Sequence, residues 1–217
     1  MIVHHLGKQN SLLQVFVDEL RDTQIQKDSM RFRKNIERIG EILAYEFSKQ
    51  TSYKRVAIKT PLTKTHAHKF NEQPVICSIL RAGIALHNGV LNYLDRADNA
   101  FISAYRKMHA NGIDFSIEVE YLSTPEIDGR ILIIADPMLA SGNSIWHVFE
   151  TLTKSSSPKE IHIFAVVAAP QGIQLLEEKL PDQTHLWIAK IDEGLDHKSY
   201  IIPGLGDAGD LAYGKKL

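Results

Sequence analysis

The sequence lacks three features that would each indicate a particular class of protein. It has a single cysteine, Cys77, among 217 residues, which excludes an intramolecular disulfide and is typical of a reducing compartment. Cys77 lies in the apolar run VICSI, so we expect a buried packing residue and not a reactive thiol. No stretch approaches the roughly 18 consecutive apolar residues of a membrane-spanning helix. The formal net charge is −1, so no global field favours nucleic acid or an anionic membrane.

The composition is that of a globular protein. Hydrophobic residues make up 44% of the chain, which is enough to form a buried core, and charged residues make up 24%, as is usual for a soluble globular protein. The opening residues show no basic region followed by an apolar core, so we expect no signal peptide. We therefore expect a soluble, cytoplasmic protein with neither a nucleic-acid nor a membrane partner. Its length predicts one domain over residues 1–217, with a helical N-terminal appendage over residues 1–50.

Hydrophobic periodicity predicts helices first, and then strands that alternate with helices. Ser11 and Asp28 are predicted to cap two helices, the second with an apolar face between Phe32 and Phe47. A short strand ends at Pro61, and residues 66–73 are predicted to be a polar turn or hairpin loop. The later predicted strands are VICSIL, AFISAYR, FSIEVEYL, RILIIA, IHIFAVVAA and HLWIAKI. This order indicates an α/β fold with a doubly wound parallel sheet.

Residues 131–145, ILIIADPMLASGNSI, contain a candidate phosphate site. A buried strand ends at Asp136, and a loop of small residues leads into a helix near Ser144. Such a turn exposes successive N–H groups, and the amino end of the helix adds a favourable dipole. Ser141 and Ser144 would add hydroxyl donors. The alternative is an ordinary helix capped by serine, and the residues alone do not separate the two. The absence of G-x-x-x-x-G-K-[ST] disfavours a P-loop NTPase.

Residues 200–214, YIIPGLGDAGDLAYG, form a glycine-rich segment with neither a helical nor a strand period. Gly204, Gly206 and Gly209 spell G-x-G-x-x-G, the dinucleotide-binding pattern. That pattern needs a βαβ unit of ~30 residues around it, and only residues 210–217 follow, so a dinucleotide site is excluded. The apolar residues of the segment disfavour a floppy tail. A rigid loop whose backbone approaches another molecule closely remains.

These segments together resemble the uracil phosphoribosyltransferases, a family of type I phosphoribosyltransferases. DPMLASGNS is similar to the family loop that binds phosphoribosyl diphosphate (PRPP), usually D-P-M-L-A-T-G-G-S. Ser141 keeps the hydroxyl of the usual threonine, and Asn143, in place of glycine, tolerates a positive φ. SILRAGIALHNGVL, AYRK, VVAAPQGI, IDEGLDHKSY and residues 200–214 also match. The resemblance runs roughly from the segment KTPLTKT, which begins at Lys59, to the C-terminus.

The resemblance implies an enzyme of pyrimidine salvage that converts uracil and PRPP to UMP and diphosphate. The PRPP-binding residues that it implies are Arg81, Arg106, Asp136, Pro137, Met138, Leu139, Ala140, Ser141, Gly142, Asn143, Ser144 and Asp207. Those that it implies for uracil lie in a base-binding loop over residues 195–217, and they are Ile201, Gly206, Asp207 and Ala208. Asp207 and Arg106 are implied to act in catalysis. An arginine fork suits a diphosphate, although a surface ion pair is the alternative for Arg81.

The resemblance also implies partners. Mg²⁺ would bind mainly through the diphosphate oxygens, with no protein metal site. A homodimer or higher oligomer is implied, and the apolar face of residues 28–47 would cap the sheet or form the dimer surface. Residues 107–116 are predicted to form a mobile flap over PRPP. Whether GTP activates the enzyme stays open.

Two rival functions are less consistent with the sequence. An RNA-binding sensor of pyrimidine nucleotides on the same fold needs a basic face, which the near-neutral charge disfavours. A purine-specific transferase is disfavoured by the loop IIPGLGDAGD. Three smaller features are expected to be surface residues: the pair His4 and His5, the loop histidines His66 and His68, and the short basic tail GKKL.

Overall fold

The computed structural model describes the backbone of residues 1–108 and 115–216, and the side chains of residues 1–103 and 121–216. The helices are α1 (Leu12–Arg21), α2 (Ser29–Ser48), α3 (Gly83–Tyr93), α4 (Asn143–Thr153), α5 (Pro170–Lys179) and α6 (Ala208–Tyr213). The strands are β1 (Ile2–His5), β2 (Tyr53–Lys59), β3 (Lys64–Phe70), β4 (Val75–Leu80), β5 (Asp98–Met108), β6 (Phe115–Ser123), β7 (Ile131–Ala135), β8 (Met138–Leu139), β9 (Glu160–Ala168), β10 (His185–Ile191), β11 (Gly194–Leu195) and β12 (Ile201–Ile202).

A mainly parallel sheet lies at the centre of the fold. Its strand order is β1-β10-β9-β7-β4-β5-β6, with the short β8 paired to β9. Only β6, predicted from FSIEVEYL, runs antiparallel to its neighbour, β5. Successive residues of β7 point to opposite faces, so Ile133 packs in one core and Ile134 in the other. A strand buried on both faces reads as a continuous apolar run, and the predicted α/β fold is confirmed.

Helices cover both faces of this sheet. The core on one face contains side chains of α1, α2, α3 and α6, and the core on the other contains side chains of α4 and α5. The Cys77 thiol is buried in the second core, and this burial raises its pKa to about 12, as expected of a packing residue. No helix in the described part of the chain is long and apolar enough to cross a membrane.

The two predicted N-terminal helices are confirmed, with their caps. Ser11 Oγ accepts a hydrogen bond from the Leu13 N–H at 3.3 Å, and Asp28 Oδ1 accepts from the N–H groups of Met30 and Arg31. The apolar face of α2 is at most 1% exposed from Phe32 to Phe47. This face therefore covers the sheet, which is the first of the two alternatives that the sequence analysis gives for it. The other, a dimer surface formed by this face, is wrong because the chain covers these side chains itself.

The sequence predicts a helical N-terminal segment, but the structure has a strand before the first helix. Residues 2–5 form β1, which pairs in parallel with β10. The ring of His4 stacks on Trp187 with 3.9 Å between centroids, and its Nε2 lies 2.9 Å from Nδ1 of His185. Burial, and then the charge of His185, lower the pKa of His4. The expectation of a surface pair is therefore wrong for His4. A four-residue edge strand is too short to show a period.

Residues 66–73 are not a polar loop. Most of them belong to β3, which pairs antiparallel with β2 from Lys59–Lys64 to Tyr53–Phe70. The turn lies earlier, where Thr60 Oγ1 accepts a hydrogen bond from the Thr63 N–H. His66 and His68 are exposed, as expected. The two-stranded ribbon is separate from the central sheet. Its first strand was predicted, but the second, KTHAHKF, is polar apart from Ala67 and Phe70 and lacks the alternation that predicts a strand.

Helices α2 and α3 approach each other closely at two glycines. A Cβ on Gly89 would lie 2.0 Å from the carbonyl oxygen of Glu37, and one on Gly40 would lie 2.6 Å from that of Leu86. Both neighbours are backbone atoms, which cannot rotate away. The absence of side chains at these positions therefore sets the distance between the two helices.

We predict that Gly89→Ala destabilises the fold by about 1–3 kcal/mol, because the added methyl group forces the two helices apart. Urea unfolding measures this change. Asn88→Ala, at the exposed neighbouring position on α3, is the matched control and should stay within ~0.5 kcal/mol of the parent chain. Equal stability of the two variants would contradict the close contact.

Candidate active site

A cavity of about 800 Å³ opens at the carboxyl ends of β4 and β7. Ligands of open α/β sheets bind at this edge, because the loops that follow parallel strands meet there. Residues after β4, the loop after β7 and the C-terminal segment each form part of its wall. The predicted site residues that line it are Arg81, Asp136, Met138, Leu139, Ala140, Ser141, Gly142, Ser144, Ile201, Gly206 and Asp207.

Four other predicted site residues are absent from the described lining of the cavity. Pro137 and Asn143 lie in the same loop but do not line the cavity, and Ala208 is fully buried behind its wall. The backbone of Arg106 continues β5 beyond Ser103, the residue paired with Leu80 at the end of β4. The side chain of Arg106 lies outside the described residues. So does most of the predicted flap, residues 109–114.

The loop after β7 has the form expected of an anion site. Gly142 precedes α4 with a φ of 84°, and the helix begins at Asn143, one residue earlier than predicted. Within the described ranges no side chain caps this helix, so the ordinary serine cap is wrong and the first N–H groups remain available to a ligand. The positive φ belongs to Gly142, and Asn143 is helical. The loop therefore makes no use of asparagine's tolerance of a positive φ.

Helix α5 supports this loop from behind. A Cβ on Gly172 would lie 2.2 Å from the carbonyl oxygen of Ala140, and one on Gly142 would lie 2.9 Å from the carbonyl oxygen of Gly172. The two backbones are therefore in direct contact. Gly172 comes from PQGI, which the sequence matched only as a connecting segment.

Asp136 is the most strongly perturbed carboxyl group of the cavity. It is 8% exposed, and its Oδ1 accepts a hydrogen bond from the Met138 N–H at 3.2 Å. Burial raises the pKa of Asp136 to about 7, and the hydrogen bond from Met138 opposes this shift. A buried acid at a strand end that changes its protonation state near neutral pH marks this edge as a candidate for chemistry.

Arg81 both lines the cavity and forms an ion pair. Its Nη2 donates to Asp210 Oδ1 and to the carbonyl oxygen of Gly214, each at 2.9 Å. The surface ion pair considered for this residue is therefore present. It does not exclude ligand binding, because the Arg81 side chain is still 34% exposed.

The glycine-rich C-terminal segment contains an ordered helix, contrary to the reading of residues 200–214 as having no helical period. Asp207 caps α6, and its Oδ1 accepts from the Asp210 N–H at 2.9 Å. A helix of fewer than two turns is too short to show a hydrophobic period. Gly204 and Gly206 have φ values of 61° and 86°, so the chain before α6 follows a path that side chains rarely permit.

Sequence reasoning missed two lysines on the cavity wall, Lys198 and Lys216. The turn that carries Lys198 is held by Asp196, whose Oδ1 accepts from the N–H groups of Lys198 and Tyr200, both at 2.8 Å. Lys216 belongs to the tail GKKL, which is expected from the sequence to be a surface feature. With Arg81, these lysines give the described part of the lining three cations beside two carboxylates, Asp136 and Asp207. Such an arrangement suits a polyanionic ligand that also carries hydroxyl groups.

Comparisons with known proteins agree with this geometry. The sequence model of the family described as Uracil phosphoribosyltransferase matches residues 8–215. The chain belongs to the uracil phosphoribosyltransferase family. A protein named uracil phosphoribosyltransferase from Porphyromonas gingivalis is 48% identical over 217 residues, which cover 100% of both chains. The match begins at residue 8 and therefore includes α1 and α2, which precede the segments that carried the resemblance.

Solved structures are similar to this chain in fold as well. The AQ2163 protein from Aquifex aeolicus has a TM-score of 0.87 at 29% identity, with all of both chains covered. A purine phosphoribosyltransferase from Pyrococcus horikoshii has a TM-score of 0.50 at 13% identity, over 72% of this chain and 86% of that one. The second similarity shows the fold alone, a mixed α/β fold with a mainly parallel sheet that this family shares with other phosphoribosyltransferases.

We predict that Asp136→Asn changes the pH dependence of stability. Because the pKa of Asp136 is raised to about 7 in the fold and is ~3.9 in an unfolded chain, the wild-type fold loses stability as the pH rises from ~4 to ~7. The loss reaches on the order of 4 kcal/mol and then levels off. Asparagine does not ionise and removes this loss.

Urea unfolding of wild type and Asp136→Asn between pH 4.5 and 8 tests this sign. The variant should gain stability relative to wild type as the pH rises. Asp182→Asn removes an exposed carboxyl group and serves as the control, for which no such trend is expected. Curves for wild type and Asp136→Asn that stay parallel would show that the carboxyl group ionises normally.

Proposed function

We propose that this chain transfers the phosphoribosyl group of PRPP to uracil and releases UMP and diphosphate. The observation that carries the proposal is the joining of two different surfaces in one cavity. One is an uncapped helix end behind a small-residue loop, and the other is the glycine-rich backbone between Ile201 and Asp207. The first suits a phosphate, and the second suits a small flat base. Membership of the uracil phosphoribosyltransferase family supports the same reaction.

Residues of the loop after β7 would hold the phosphoribosyl group. The N–H groups around Gly142 and the hydroxyls of Ser141 and Ser144 would donate to the 5′-phosphate. Asp136 would accept hydrogen bonds from the ribose hydroxyls, a role that its ionised form performs best. Because burial holds the pKa of Asp136 near 7, this contact should strengthen as the pH rises through neutrality.

Cationic side chains would bind the diphosphate leaving group. Arg81 would exchange its ion pair with Asp210 for diphosphate oxygens, and Arg106 would approach from the neighbouring strand. Lys198 and Lys216 add two more positive charges to the wall. Charge that develops on the diphosphate as the C1′–O bond breaks is then met by groups already in place, which is electrostatic catalysis.

Mg²⁺ would enter with the diphosphate. Among the described residues no group of three or more His, Cys, Asp or Glu side chains could hold a metal by itself, but Asp136 and Asp207 line the cavity. One or two carboxylates together with phosphate oxygens and waters is the ligand set that Mg²⁺ prefers. These residues therefore fit a metal that arrives with its substrate, where it would neutralise the diphosphate oxygens.

The backbone of the C-terminal segment would recognise the base. Uracil presents an N–H donor between two carbonyl acceptors, and main-chain groups of Ile201, Gly206 and Ala208 would read that pattern. Ala208 lies behind the wall and would contribute only through its backbone. Uracil N1 would attack C1′ as the bond to diphosphate breaks, and the electron pair would leave with the diphosphate. Asp207 would orient N1 or accept its proton.

The wider setting of the enzyme is also a proposal. We propose a homodimer or higher oligomer, which light scattering tests, and action in the cytoplasm as a single domain over residues 1–217. GTP activation remains to be tested by the assay below. The regulatory RNA-binding alternative finds no support, because the matching family model and the relatives carry the name of the transferase.

We predict that the purified chain, given PRPP and Mg²⁺, forms a nucleotide from uracil but not from cytosine, hypoxanthine or adenine. Chromatography of the product, with and without GTP, measures this. Formation of UMP only in the presence of GTP would add an activator site. A nucleotide from hypoxanthine or adenine would contradict the base assignment.

We predict that Asp207→Asn lowers kcat by roughly 10²- to 10⁴-fold, the usual contribution of an acid or base. Asparagine keeps an oxygen that can accept from the Asp210 N–H, so α6 should remain capped and the loss should reflect the carboxylate. Steady-state UMP formation measures the effect, with Asp182→Asn as the control at an exposed site. An unchanged rate would show that Asp207 has no such role.

A further inference from the structure

Asp192 lies under the part of the C-terminal segment that would face uracil, residues 201–207, which we call the base loop. It follows β10 directly, and its side chain is only 1% exposed. Its Oδ2 accepts a hydrogen bond from the Gly204 N–H at 3.0 Å, and its Oδ1 accepts from Arg21 Nη2 at 2.5 Å. Each carboxylate oxygen therefore has its own partner, one in the base loop and one in helix α1.

Gly204 is the point at which the base loop folds back on itself. Its φ is 61°, and a Cβ there would lie 2.1 Å from the carbonyl oxygen of Ile201. Ile201 on one side of it and Gly206 on the other both line the cavity. A hydrogen bond to the Gly204 N–H therefore sets the position of both lining residues at once.

Arg21 is the cation that allows Asp192 to remain a buried carboxylate. It comes from the last turn of α1, 171 residues away in the sequence, and its side chain is 18% exposed. A buried carboxylate that loses its cation is strongly disfavoured, so the fold must then rearrange around it. The position of the Gly204 N–H consequently depends on a side chain from the N-terminal helix.

A second contact links the same two parts of the chain. Gln26, in the turn between α1 and α2, donates from Nε2 to the carbonyl oxygens of Leu20 at 2.8 Å and Leu205 at 3.3 Å. Arg33 of α2 donates to the carbonyl oxygen of Ala212 in α6 at 2.6 Å. The N-terminal segment thus contacts the base loop directly at Leu205, reaches Gly204 through Asp192, and contacts the helix that follows at Ala212.

We propose that Arg21 and Asp192 are positioning residues for uracil, which act through the Gly204 N–H to hold the base loop in the shape that accepts the base. Neither residue belongs to the described lining of the cavity, so we expect neither to touch the substrate. The assignment rests on the proposed function and deepens it. It also makes the N-terminal segment, expected from the sequence to be an appendage, a part of the base site.

Steady-state kinetics of Arg21→Gln and Asp192→Asn test this role. The KM for uracil should rise tenfold or more, since a misplacement of about 1 Å costs up to ~10²-fold. The KM for PRPP should rise much less than the KM for uracil. Asp207 is the one implied PRPP residue in the base loop, whereas the loop after β7 is held by β9 and α5 and not by the base loop. Arg21→Lys keeps the charge and should restore most of the affinity for uracil.

Arg31→Gln is the matched control. Arg31 pairs with Glu19 at 2.6 and 3.0 Å, so this variant also loosens α1 from α2, but it breaks no contact with the base loop. It should leave the KM for uracil unchanged. Gln26→Ala removes the hydrogen bonds to Leu20 and Leu205 but leaves the bond from the Gly204 N–H to Asp192 in place. It is therefore a milder variant, for which a two- to threefold rise in the KM for uracil is expected even where Asp192→Asn fails to fold.

Hydrogen exchange supplies a measurement that needs no activity. Peptides covering residues 201–207 should exchange faster in Arg21→Gln than in wild type and in Arg31→Gln. An unchanged KM for uracil in an active enzyme, a parallel rise of both KM values, or the same effect in Arg31→Gln would overturn the positioning role. A wild-type chain that forms no UMP would instead defeat the proposed function, and with it the assignment to uracil. The two failures are thereby distinguished.

Discussion

The candidate site depends on one constraint, a parallel sheet that is covered by helices on both faces. Because β4, β5 and β7 run in the same direction, their carboxyl ends reach one edge of the sheet. Loops cannot pass through the buried faces without losing hydrogen bonds, so the polar residues that follow these strands gather at that edge. Arg81 and Asp136 line the same cavity for this reason, although they are 55 positions apart in the chain.

Close contact between backbones makes that edge rigid. Gly172 lets α5 touch the loop after β7, and Gly204 lets the base loop turn back above Asp192. In both places a side chain would occupy the space of a carbonyl oxygen. Each half of the site, the loop after β7 and the base loop, is thus held by packing behind it as well as by its own turn. A site that must accept two ligands side by side gains from such fixed walls.

Burial and charge then give the two acidic groups different properties. Asp136 has no cation as a partner among the described residues, and burial alone raises its pKa to about 7. Asp192 is equally buried but forms an ion pair with Arg21. The first group suits contact with a substrate, whose binding changes its surroundings. The second, which accepts hydrogen bonds from Arg21 and from the Gly204 N–H, suits a structural link.

Much of this arrangement was predictable from local patterns. The caps at Ser11 and Asp28, the buried strand before Asp136 and the small-residue loop after it depend on residues close together in sequence, so the sequence alone determined them. The resemblance to the family also rested on such segments. Three short elements could not be predicted, because β1, β3 and α6 have too few residues, or too few apolar ones, to show a hydrophobic period.

Only the tertiary structure decided which distant residues meet. Nothing near Arg21 in the sequence indicates Asp192, and nothing in the tail GKKL indicates that Lys216 lines the cavity. A local pattern records whether a side chain favours burial or exposure, but not which element of the fold will cover it. That choice follows from the packing of α1 and α2 over the sheet, and it converts a helical N-terminal segment into the support of the base loop.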